Sequence, residues 1–300
     1  MAIAILFKSI SIGQVILSGV EGGSNHRIAI DLYKNCSKTI EIRTTQGSVQ
    51  NFKELKTGEI AFIQYDVLQQ ELYNDLANVE NNTDSIRILL SLGNEEIHLI
   101  ARAESNINYI GDLNNQSLKI SIGSDDQGTS ITASIIKKIT GSNWTDVNLS
   151  FKESVKALLN KEIDALFFVG AAPVDVLEIF SKLAPHERNM IKLVPLSDKR
   201  LESTYHKATI KSGTYAWASY DVSTYIVKSL LICKVTGETA AQRLAYNKLL
   251  SALKTSIIKL QKEGHRQWKN VDFNFTGIDW EVHTEAKKLF LQQKNPLENP

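Results

Sequence analysis

The chain has 300 residues, 43% of them hydrophobic and 22% charged, the make-up of a globular protein with a core of its own. Lys plus Arg number 34 against 33 for Asp plus Glu, a net charge of +1, so nothing in the balance calls for nucleic acid or an anionic membrane as partner. The length suits two lobes of roughly 100–200 residues each, and no apolar run reaches the ~20 residues of a membrane-spanning helix.

The opening stretch MAIAILFKSISIGQVILSG is mildly apolar and lacks the basic start and small-residue cleavage site of an export leader. QVILSG (14–19), TIEIRTT (39–45), IAFIQY (60–65) and IRILLSLG (86–93) predict strands. Between them SNHRIAIDLYK, SVQNFKELK and DVLQQELYNDL space their apolar residues as helices do. The rhythm then restarts. EIHLIARA (96–103) predicts a separate extended segment, and SLKISIGS (117–124), VNLSFK (147–152), IDALFFVG (163–170) and IKLVPL (191–196) predict four further strands. Helices fit TSITASIIKKIT, ESVKALLNKE, VDVLEIFSKLA and KRLESTYH. From about Lys207 two longer β-runs, KATIKSGTYA and VSTYIVKSLLICK, precede an amphipathic helix over 237–263, opened by Gly237-Glu238 and closed by Gly264.

Strand–helix–strand alternation implies parallel strands with helices on the sheet faces. Residues 48–67 and 154–174 echo each other as helix, Glu-Ile, buried strand and new helix, as two similar lobes would. The expected fold is therefore α/β and bilobed, with two parallel-rich mixed sheets flanked by helices and a ligand cleft between the lobes. The first lobe is expected to be discontinuous, 1–97 plus 208–300, and the second to span 98–207, with hinges near Ala101–Ala103 and Thr209–Ser212.

In open α/β sheets, ligands bind beyond the carboxyl ends of strands, against helix N-termini whose free N–H groups attract anions. Five strand ends here carry small or polar residues. They are Gly19 to His26, Gln46 to Asn51, Gln64 to Asp66, Gly123 to Ser130 and Ala171 to Pro173. Each alone reads equally as a turn or cap, with Ser24 or Asn25, Ser48, Asp66 and Thr129 as ordinary capping types. Their convergence in two halves is what points to a site. The GVEGGS stretch lacks both the dinucleotide-binding glycine spacing and a phosphate-loop lysine.

No catalytic pattern emerges. The histidines His26, His98, His186, His206, His265 and His283 form no metal-ligand spacing, and no nucleophile elbow is present. His98, in an extended apolar run, is expected to be structural. Tyr215, Trp217 and Tyr220 suit either a ligand face or core packing. Cys36 and Cys233 are expected as two buried thiols, with a single disulfide left open. No cofactor and no metal are expected.

Four segments together resemble the TAXI subgroup of solute-binding proteins from TRAP transporters. They are GSVQNFKELKTGEIAFIQYDVL (47–68), HLIARAESNINYIGDLNNQSLKISIGSDDQGT (98–129), EIDALFFVGAAPV (162–174) and IKSGTYAWASYDVST (210–224). VHTEAKKLF (282–290) is a weaker echo, and the resemblance spans about 14–292. It implies a type-2 periplasmic-binding fold, and a monomer without turnover is expected because no nucleophile–base or metal constellation is present. It also implies a small carboxylate ligand, often an amino or keto dicarboxylic acid, handed to TRAP membrane permease subunits from the periplasm. Positions matching the family's ligand loops are Gly23, Ser24, Ser48, Asn51, Gln64 and Asp66, then Gly128, Thr129, Ala171 and Tyr215, with Asn25 beside them. Two loops depart from the pattern. Gly-Gly-Ser-Asn-His replaces a longer Gly-Thr run ending in aromatics, and Asp-Asp-Gln-Gly-Thr lacks the usual serine before Gly-Thr. The sensor domain of a membrane receptor, or an enzyme on the same bilobed fold, remains an alternative.

Overall fold

β-branched runs and amphipathic segments alternate along the first half of the chain. In the computed structural model, which describes residues 14–291, they form β1 (Val15–Gly19), α1 (Ser24–Asn35), β2 (Glu41–Thr44), α2 (Ser48–Glu54), β3 (Ile60–Gln64) and α3 (Tyr65–Asn78). The first thirteen residues, which hold most of the mildly apolar opening stretch, lie outside the described part. A long strand β4 (Ile86–Arg102) follows. Then come β5 (Lys119–Ser121), α4 (Gly128–Thr140), β6 (Thr145–Val147), α5 (Phe151–Leu159), β7 (Ala165–Gly170), α6 (Pro185–Arg188) and β8 (Ile191–Val194). The chain ends its described course with β9 (His206–Ile210), β10 (Val222–Lys234), α7 (Ala240–Glu263) and α8 (Thr284–Ala286).

Hydrogen bonds join the described strands into one path, β2-β1-β3-β10-β4-β7-β5-β6, with β8 on β4 and β9 on β10. The two expected sheets are the two ends of this path. β1 lies parallel to β2 and β3, and β5 lies parallel to β6 and β7. The antiparallel strands β4 and β10 join these ends, and each changes neighbours midway. β4 pairs with β10 over Ile86 to Glu96, then with β7 and β8 over Glu96 to Arg102. β10 pairs with β9 over Val222 to Ile226 and with β3 over Ser229 to Cys233.

The runs 86–93 and 96–103, expected as separate segments, are thus one strand of 17 residues. Gly93 explains the apparent break. Its φ is +94°, the β4–β10 register shifts beside it, and a Cβ there would sit 2.4 Å from the Asn270 carbonyl oxygen. The apolar core also changes at this point. One cluster takes residues up to Leu92 together with Leu230 to Cys233, Tyr246 and Trp268. Two others begin at Ile97 and Ile100 and hold Trp144, Phe167 and Tyr225 in one, Phe180 and Tyr215 in the other.

Local signals account for the remaining differences. A strand at 147–152 gives way to α5 because Ser150 and Glu153 form a reciprocal capping box, the Ser150 N–H donating to Glu153 Oε2 at 2.9 Å. α7 starts after Thr239, whose box partner is Gln242, rather than at Gly237. VDVLEIFSKLA and KRLESTYH form 3-10 turns, Asp175–Lys182 and Lys199–Ser203. Cys36 and Cys233 are free, and Cys233 is fully buried in β10.

Candidate functional site

The carboxyl ends of β1, β3 and β7 open onto a cavity of about 340 Å³ whose walls come from both ends of the sheet path. One wall carries Gly23, Ser24, Asn25, Ser48 and Gln64, and the facing wall carries Gly128, Thr129, Phe151, Phe168 and Val176. Seven of the eleven sequence-predicted positions therefore meet at one place: Gly23, Ser24, Asn25, Ser48, Gln64, Gly128 and Thr129. Loops join the walls below the opening. The Gln50 N–H donates to the Asp126 carbonyl at 3.2 Å, and a Cβ on Gly47 would press on Gln127 Cα at 3.1 Å.

α1 and α4 both begin at the cavity, and neither has a side-chain cap. Their first-turn N–H groups, which carry the positive end of the helix dipole, stay available to an anion. The expected capping roles do not apply. Ser48 is the first residue of α2, and its hydroxyl accepts from the Gln64 N–H at 3.1 Å. Ser24 and Thr129 sit inside their helices, with no hydroxyl partner among the described residues.

The other four predicted positions lie outside this lining. Asn51 is spent on the backbone: its Nδ2 donates to the Phe62 and Leu17 carbonyls at 2.7 and 3.3 Å, while Thr45 donates to its Oδ1 at 2.6 Å. Asp66 Oδ2 accepts from the Thr132 and Tyr205 hydroxyls at 2.6 and 3.0 Å, and burial pushes its carboxyl up to about 6 against those hydrogen bonds. It lines a second cavity of about 470 Å³, beside Tyr65, Tyr205 and Lys228. Ala171 is buried just past the lining residue Gly170. Tyr215 is a core residue whose hydroxyl accepts from the Val174 N–H at 2.9 Å and lies 2.8 Å from His98 Nε2. Burial pushes His98 down to about 4, so the ring is neutral. With Nδ1 2.9 Å from the Glu96 carbonyl, that nitrogen donates and Nε2 accepts from Tyr215. His98 is structural, and Tyr215 acts by holding Val174, which lines the cavity.

Glu95 was not among the expected residues. It lines the cavity from β4, is 4% exposed, and accepts from Gln64 Nε2 at 3.0 Å. Strand alternation carries the signal for it, since Glu95 falls on the same face of β4 as the buried Ile97 and Leu99. At the mouth, Asp175 accepts from Arg27 and Arg266, each at 2.5 Å, and so ties the second part of the chain to the first. Among the described residues no three His, Cys, Asp or Glu side chains gather as metal ligands, and no helix is long and apolar enough to cross a membrane.

A sheet with two crossing strands and a cavity at strand ends between uncapped helices is the layout of a periplasmic-binding fold. The periplasmic binding protein BugD shares it at a TM-score of 0.52 and 12% identity, over 86% of this chain and 87% of that one. MatC from Rhodopseudomonas palustris, solved with bound malate, aligns at a TM-score of 0.49 and 12% identity over 83% and 86% of the two chains. The chain belongs to the NMT1-like family, whose model matches residues 25–247.

Proposed function

We propose that the chain is an extracytoplasmic solute-binding protein of the TAXI type that captures a small organic carboxylate and delivers it to a TRAP-type membrane permease. The observation that carries this reading is the cavity of about 340 Å³ between two facing walls, with the uncapped starts of α1 and α4 turned into it. Two such termini offer N–H groups to a carboxylate without an arginine. The loop resemblance supports the TRAP partner and the periplasmic setting. Two lobes, 1–97 plus 208–300 and 98–207, belong to the same reading. The change of core at Leu92 to Ile97 supports the first boundary, while along β10 the core changes at Val227 to Leu230 rather than near 208.

A thermal-shift screen of amino, keto and dicarboxylic acids tests the reading. A ligand at ~100 times its dissociation constant stabilises the fold by about 2.7 kcal/mol, a shift of several degrees. Thr129→Val, at a hydroxyl with no protein partner, is expected to leave the ligand-free melting point nearly unchanged and to shrink the shift. A panel without a hit, or a full shift in Thr129→Val, contradicts the site.

A further inference from the structure

We infer that the captured solute presents an amino group to the Glu95–Gln64 pair on the cavity wall, so that the ligand is an amino acid or close analogue rather than a plain dicarboxylic acid. The inference rests on the solute-binding reading above and narrows it.

Glu95 is almost completely buried and lines the cavity. Its partner is Gln64, which donates one N–H at 3.0 Å, and no Lys, Arg or His pairs with it among the described residues. Buried carboxylates are ordinarily matched by a cation or by several donors, because removal from water is costly. Here the side chains beside it are uncharged, with Ser229 and Gln267 adding donors. Gln64 Oε1 is buried without a donor, and so is Asn25 Oδ1 on the same lining. Glu95 thus meets uncharged donors from Gln64, Ser229 and Gln267 but no cation, while Gln64 Oε1 and Asn25 Oδ1 hold no donor at all. An ammonium group, with three N–H bonds and a positive charge, fits that set. A second ligand carboxylate would meet like charge and lone pairs.

The rest of the lining agrees. The other carboxyl at the cavity, Asp175, is already held by Arg27 and Arg266. Lys152 is the one cation in the lining and no arginine joins it, while Phe151, Phe168 and Val176 suit an apolar body. The groups facing Glu95 are Gln64 and Asp66 from the β3–α3 junction, Ser229 on β10 and Gln267 on the turn Arg266–Asn270. None is a cation. Burial pushes the Glu95 carboxyl up to about 7 against its hydrogen bonds.

The test is titration calorimetry of the full chain with matched pairs: the standard L-amino acids and their des-amino counterparts, such as leucine with 4-methylpentanoate and glutamate with glutarate. The wild type is expected to bind at least one amino member at least tenfold tighter than its partner. Glu95→Gln is expected to bring that preference below about twofold while leaving the des-amino partner's affinity unchanged. A des-amino acid that binds the wild type as tightly as its amino partner overturns the inference and leaves the solute-binding reading standing. A preference that survives Glu95→Gln overturns the role of Glu95. If no member of either set binds, both fail. The wild-type pairs decide the amino-group claim even if the variant fails to fold.

Discussion

A carboxyl kept from water with only uncharged partners makes stability depend on pH. Glu95 is raised from its ordinary value to about 7 by burial, so in the ligand-free fold it holds a proton that the unfolded chain has already released near neutrality. The folded state binds more protons between the two values, and stability therefore rises as pH falls through 7. Over pH 8 to 6.5 this contributes roughly 1 kcal/mol. Glu95→Gln carries no such proton, so the stability of the wild type relative to the variant is expected to rise by that amount across the window. Urea unfolding at the two pH values measures it, and a difference that stays constant contradicts the buried, unpaired state of Glu95. The window stops at 6.5 because His98, held neutral and pushed down to about 4, opposes acidification below it. At this scale the sequence was legible where small residues line strand ends. It misled where a polar residue serves the backbone, as Asn51 does, or bridges packed elements, as Asp66 does with Thr132 and Tyr205. Residue type is shared between these roles, and partners 11 to 139 positions away in sequence decide between them.

Among the elements, α4 binds the site to the sheet through its first residue. A Cβ on Gly128 would lie 1.7 Å from Gln64 Oε1, so the glutamine would have to leave its place against Glu95. Gly128→Ala is expected to lower affinity for the tightest-binding solute at least tenfold while the helix itself tolerates alanine. Gly141→Ala is the contrast. Gly141 caps the other end of α4 at φ +65° with open space around it, so alanine there strains the backbone by about 1 kcal/mol and leaves affinity unchanged. Calorimetry on both variants checks this, and equal losses of affinity would contradict it. Long helices were readable from periodicity because their burial follows it, as in α4 and α7, and β3 was readable as a bounded run buried throughout. The 3-10 turns after β7 and β8 carry helix-like apolar spacing over too few residues for the period to separate them from helices. The capping box at Ser150 was present in the sequence and outweighs the β-branched and aromatic run that suggested a strand.

For the whole molecule, two strands carry the chain between its cores and one carboxylate spans the mouth between them. β4 changes core at Gly93, and β10 does so near Ser229, its register partner. Asp175 holds Arg27 and Arg266 across the opening, in one exposed and one half-buried pair. Such a contact can break and reform without unfolding either core, as the proposed capture and release would require. The join of the two halves was only partly legible, because the bulge at Gly93 reads in sequence as a turn between strands. The central claim is that the chain encloses one small solute, and native mass spectrometry of the chain purified without denaturation tests it most directly. The account predicts a bound mass of one small amino-bearing acid per chain, released on acid denaturation and taken up again from solution after refolding. A chain that carries no such mass and takes up none from the amino, keto and dicarboxylic acid panel would contradict it.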